Sequence, residues 1–103
     1  MRDLTEIRQQ IDQIDQKMLA LFKERMGCSA EVAEYKRGTG KAIYDPVRER
    51  QKIDALTKDE DELIIKKSVE EMFLQMMSIS RRYQYSLCLL YTSDAADDRI
   101  SVD

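Results

Sequence analysis

The sequence predicts an all-α fold: a three-helix chain with one long N-terminal helix, whose apolar seam calls for a second chain. Three observations predict it. Large side chains recur at alternating steps of three and four from Leu4 through Ile7, Ile11, Ile14, Met18 and Leu21 to Cys28, Val32 and Tyr35, the spacing of a heptad seam. The chain is 36% charged, with few aromatic residues and a single Pro, a composition that suits a helix-rich soluble protein. Strong stop and start signals, Gly38-Thr-Gly40 and Asp45-Pro46, divide the chain into helical lengths.

The first helix starts near Asp3 or Thr5, either of which can cap it. Glu6 lies three residues after Asp3, a capping-box spacing. Gly27 is the one breaker within the seam, at a cost of about 1 kcal/mol against Ala. About 32 residues at roughly 1.5 Å each span roughly 48 Å. That exceeds the diameter of a globule built from so short a chain, so one small monomer cannot bury the seam. A second row, Leu19, Phe22, Met26, Ala30 and Ala33, widens the stripe. A bundle helix that touches more than one neighbour has this pattern. The helix is expected to end near Arg37, with Gly38 in the left-handed closing position.

Lys41 to Tyr44 reads as a short extended loop. Asp45 as N-cap and Pro46 at the first helical position then open the second helix. It covers about Pro46 to Leu56, with Val47, Ile53 and Leu56 as packing positions on an otherwise polar helix. Thr57 to Glu62 forms an acidic turn and the first turn of helix 3, where negative charge complements the helix N-terminus. Helix 3 places Ile65, Val69, Met72, Phe73, Met76, Ile79 and Tyr83 at helical spacing and is expected to reach Tyr85. Met72, Met76 and Met77 read as core filler.

At 103 residues the chain allows one domain. It carries 17 Lys and Arg against 20 Asp and Glu. Residues 86–103 hold one Arg and four Asp, so the remainder is balanced at sixteen of each. A neutral chain without a basic block gives no electrostatic reason to expect nucleic acid or an anionic membrane. There is no His and there are only two Cys, Cys28 and Cys88. His-based proton relays and the usual zinc sites are therefore not expected, and no metal or cofactor is implied. Cys28 on the seam reads as a small buried apolar residue. With no apolar run of membrane length and no signal segment, a reducing cytoplasm is the expected location.

Several polar residues resist a reading as solvated surface. Arg25 occupies a seam position, and an unpaired buried guanidinium is costly, so it needs an anion. A protein carboxylate that sets helix register and a bound ligand both satisfy that need. Lys36 follows three turns later, about 16 Å along the axis on nearly the same side. Ser80 and Gln84, four apart, share a face of helix 3. Arg48 and Glu49 open helix 2 beside Asp45. Arg8 lies 17 residues before Arg25, about 25 Å away. It can reach the same small ligand only if two antiparallel helices each lend their beginning to the other's site. Otherwise Arg8, Asp12 and Asp15 form surface pairs.

Five stretches in order complete the picture: Ile7-Arg-Gln-Gln-Ile-Asp-Gln-Ile-Asp15, Leu21-Phe-Lys-Glu-Arg25, Val32-Ala-Glu-Tyr-Lys36, Tyr44-Asp-Pro-Val-Arg-Glu-Arg50 and Ser78-Ile-Ser-Arg-Arg-Tyr-Gln84. Over about residues 3 to 87 the chain resembles the all-α chorismate mutases, most of all the mutase domain that precedes prephenate dehydratase in bifunctional enzymes. The resemblance implies an intertwined homodimeric helical bundle with two sites shared between chains. It implies that Arg25 and the partner's Arg8 hold the two carboxylates of chorismate. Lys36 and Gln84 match the pair on the ether oxygen, and Glu49 matches the carboxylate on the ring hydroxyl. Asp45, Arg48 and Ser80 match further pocket positions. The implied reaction, chorismate to prephenate in phenylalanine and tyrosine biosynthesis, is a unimolecular rearrangement that needs no nucleophile, metal or proton relay. Two alternatives stay open: a non-catalytic helical dimerisation module, and a related three-helix lyase acting on isochorismate.

From Ser86 the pattern changes. The run Cys88-Leu-Leu-Tyr-Thr-Ser-Asp-Ala-Ala-Asp97 resembles translated sequencing-adapter DNA. Residues 1–87 are therefore expected to form the domain, and 88–103 a non-native or disordered tail with no function. If the tail is foreign, the natural chain has room to continue into another domain.

Overall fold

The computed structural model describes residues 1–90, with the side chains of 1–88. The expected tail falls almost wholly outside these residues. The described chain is all-helical: α1, Leu4–Thr39; α2, Pro46–Thr57; and α3, Leu63–Leu90. No helix among them is long and apolar enough to cross a membrane.

Local chemistry sets most of the boundaries. The Asp3 carboxylate accepts from the Glu6 backbone N–H at 2.9 Å, which satisfies one of the open donors at the start of α1. The expected end at Gly38 is corrected by two residues. Gly40 takes the left-handed conformation, φ 78°, and its N–H donates to the Lys36 carbonyl at 2.8 Å. The Thr39 hydroxyl donates to the same carbonyl at 3.3 Å, so the last turn persists past Gly38 and the second glycine closes it. Lys36 and Arg37 sit in that last turn, where cations meet the negative end of the helix dipole. At the start of α2 the Asp45 carboxylate accepts from the Arg48 N–H at 3.0 Å, with Pro46 behind it. Helix α3 continues beyond the expected Tyr85 to Leu90.

α3 is the common wall: it packs on both α1 and α2, and α1 and α2 do not pack on each other. The row of α1 turned toward α3 is the second one. Ala33 is buried and Phe22, Met26 and Ala30 are half-buried, whereas Leu4, Ile11, Ile14, Met18, Leu21, Val32 and Tyr35 of the heptad seam stay exposed. On α2 only Ile53 of the three expected packing positions is buried, at 1% exposure; Val47 and Leu56 are exposed, because a helix with one neighbour hides one strip. Of the methionine row, Met77 is buried, Met76 half-buried and Met72 exposed. Arg50 ties the outer faces of α2 and α3 by reaching Asp54 at 2.8 Å and Glu70 at 2.5 Å. Those carboxylates, Glu70 first, hold its pKa above the ordinary value, although so exposed a pair adds little stability.

The interior is small. Among the described residues the buried apolar side chains are Ala33, Ile53 and Met77. The molecule measures 59 × 29 × 23 Å with a radius of gyration of 17.6 Å, against about 13 Å for a compact chain of this length.

Candidate active site

One face of α3 meets α1 and the start of α2 at a cleft. Ser80 and Gln84, one turn apart, come from α3 and are both buried. Arg25 and Lys36 come from α1, and Asp45, Arg48 and Glu49 from the capped first turn of α2. These seven residues line one cavity of about 320 Å³, a size suited to a small organic ligand. Arg8, the eighth residue singled out in the sequence, is exposed and lies elsewhere on α1.

Arg25 has no carboxylate within ion-pair distance among the described residues. It is half-buried, and its Nη1 donates to the Ser80 hydroxyl at 2.8 Å. Ser29, one turn along α1, donates to that same oxygen at 3.1 Å. Ser80 thus accepts from both and orients the guanidinium while leaving its other N–H groups for a ligand. Lys36 Nζ donates to the Ile43 carbonyl at 3.1 Å, which holds the connection between α1 and α2 at the cavity rim. Its ammonium keeps two further donors. Gln84 is 8% exposed, and its Oε1 is buried with no hydrogen-bond partner among the described residues. A buried, unsatisfied carbonyl oxygen is costly and is completed only by a donor such as a ligand hydroxyl, whereas the amide N–H is the part of Gln84 that can donate to a ligand oxygen.

Sequence reasoning missed several lining residues: Ser29, Lys52, Met77 and Arg81. Arg81 matters most. Its Nη1 donates to both oxygens of Glu49, at 2.6 and 2.5 Å, and its guanidinium carbon sits 4.5 Å from the centre of the Tyr44 ring. The signal was present in the spacing, since Arg81 follows Met77 by four residues and precedes Gln84 by three, on one face of α3. Cys28 corrects an expectation in the other direction. It is an exposed free thiol on the cavity wall, not a buried apolar residue.

Five cationic side chains, Arg25, Lys36, Arg48, Lys52 and Arg81, face two carboxylates, Asp45 and Glu49, around this cavity. The excess of positive charge selects an anion, and both Glu49 oxygens already accept from Arg81. The sequence pattern of the family described as chorismate mutase type II matches residues 7–85. The chain belongs to that family. Over 55 residues the chain is 46% identical to a protein named chorismate mutase from Methanocaldococcus jannaschii, which covers 53% of this chain and 56% of that protein. The chain is also 38% identical over 61 residues to the T-protein of Enterobacter agglomerans, which covers 59% of this chain and 16% of that one. The chain thus spans about half the length of the first of these curated relatives and a smaller part of the second. All seven cavity residues named above fall inside the region matched by the chorismate mutase type II family.

Proposed function

We propose that the protein is a chorismate mutase that converts chorismate to prephenate on the route to phenylalanine and tyrosine. The observation that carries this reading is the cavity itself: Arg25, Lys36, Glu49 and Gln84 meet in a cationic cleft that holds no protein carboxylate against Arg25.

The reaction breaks an ether carbon–oxygen bond while a carbon–carbon bond forms within the same molecule. The site must fold the side chain over the ring and stabilise negative charge that grows on the ether oxygen. Arg25 meets one substrate carboxylate, with geometry that a planar guanidinium fixes well. Lys36 and Gln84 supply the donors for the ether oxygen; Gln84 does so through its amide nitrogen. Fixed donors of this kind each contribute about 3 to 4 kcal/mol to the transition state. Glu49 accepts from the ring hydroxyl, and Arg48, Ser80 and Asp45 complete the wall. Holding one reactive conformer accounts for the remainder of the rate gain.

In this reading the exposed seam of α1 is covered by a second copy of the chain, and the partner's Arg8 closes the site over the second carboxylate. Two free thiols, Cys28 and Cys88, fit a reducing cytoplasm. The direct test is to follow chorismate loss and prephenate formation with purified protein, and to repeat it with isochorismate. Turnover of chorismate supports the reading. Pyruvate release from isochorismate with no chorismate turnover would replace it with the lyase alternative.

A further inference from the structure

Resting on that reading, we propose that Arg81 is a positioning residue for the substrate site: it neutralises Glu49, so that a carboxylate can stand beside a dianionic substrate, and locks it in orientation. In a cleft that binds two negative charges, the charge of a bare carboxylate in the wall opposes the ligand even where its oxygens accept from a ligand hydroxyl. Glu49 and Arg81 are both largely withdrawn from water, with side chains 19% and 26% exposed. Screening is weak at such a depth, and an uncompensated Glu49 would oppose the ligand directly. One Arg81 nitrogen bridges both carboxylate oxygens, at 2.6 and 2.5 Å. Each oxygen retains lone-pair capacity for a ligand hydroxyl.

Arg81 is itself pinned from a second direction. The Tyr44 ring, on the connection that Lys36 holds through Ile43, lies against its guanidinium at 4.5 Å in cation–π geometry. Among the described residues Arg81 is the cation within ion-pair distance of Glu49, while Arg25 and Lys36 reach Ser80 and the Ile43 carbonyl. Arg81 therefore acts through Glu49 and leaves the substrate carboxylates to the other cations.

The test is a double-substitution cycle on the full chain, read by chorismate kinetics and by binding of a bicyclic dianionic mimic of the transition state. Arg81→Met is expected to raise KM and the Kd of the mimic by about 10- to 100-fold, with a smaller fall in kcat. Adding Glu49→Gln to Arg81→Met should tighten mimic binding again, because the exposed negative charge is gone. A residue that serves only packing cannot produce a gain from the second substitution. Arg81→Lys, which keeps the charge, should recover part of the lost affinity. If Arg81→Met fails to form its helices by circular dichroism, Arg81→Gln carries the same expectation. An active wild type whose Arg81 variants bind the mimic within twofold of normal overturns the inference. So does a double variant that binds no better than the single one. A wild type that neither turns over chorismate nor binds the mimic overturns the functional reading, and this inference with it.

Discussion

Gln84 and Lys36 stand differently in the cavity wall. The Gln84 amide is buried with its oxygen unpaired, a cost of about 1 to 3 kcal/mol in the empty protein. Gln84→Met fills the same space without the orphaned group. We expect it to raise the melting temperature of the ligand-free protein while turnover falls by about 100-fold or more, as loss of one fixed donor implies. Calorimetry and a kcat measurement on the same preparation check both halves. Lys36 stands differently, since its ammonium already has a backbone carbonyl. Lys36→Ala should cost at least about 100-fold in kcat with little change in helix content, and a near-normal rate would count heavily against the assignment. Ser29, Ser80 and Arg25 form the third group, where one hydroxyl accepts from two donors. That arrangement aims a guanidinium without neutralising it, which a carboxylate in the same place would do.

At the level of elements, α2 depends on few attachments. It packs on α3 alone, through Ile53 at 1% exposure. Ile53→Ala should destabilise the fold by about 2 to 5 kcal/mol, measurable by urea denaturation. Asp45→Ala removes the cap from the turn that carries Arg48 and Glu49. It should cost about 1 kcal/mol and raise KM through the misplaced turn. These two caps, Asp3 and Asp45, were legible because the signals are local: an acceptor side chain, three residues ahead of an open N–H. Of the seven cavity residues, Arg25 stood out as a polar group at an apolar seam position, while the set as a whole was named because the stretches that carry it resemble the family in order. What escaped the sequence is what depends on the direction in which a helix is turned. Two apolar rows run along α1 at equal spacing, and only packing shows that Phe22, Met26 and Ala33 meet α3 while the heptad row does not. Arg81 and Arg82 are neighbours with the same chemistry. The rotation of α3 sends one to Glu49 and leaves the other exposed. At Gly38-Thr-Gly40 either glycine can close a helix, and the bond from Gly40 to the Lys36 carbonyl decides it.

For the molecule as a whole, the heptad row is the largest unpartnered surface. Ile11, Ile14, Met18 and Leu21 are all about half exposed or more, on a helix of 36 residues. A second copy that covers this row makes the protein an obligate pair, and its melting temperature should then rise with protein concentration. Ile14→Glu should shift sedimentation toward the monomer and abolish turnover. The place of Arg8 has its own check. Inactive Arg8→Ala and inactive Lys36→Ala chains, mixed and allowed to exchange, should regain part of the activity, because mixed pairs rebuild one intact site. No recovery after verified exchange would argue against a shared site.

If a second copy closes the heptad row as proposed, an interior of only Ala33, Ile53 and Met77 among the described residues ties folding, pairing and catalysis into a single equilibrium. In a cell that makes few chains, output would climb with the square of their number, and halving synthesis would quarter the working enzyme. A catalyst of that kind would be switched off by dilution, with no inhibitor required.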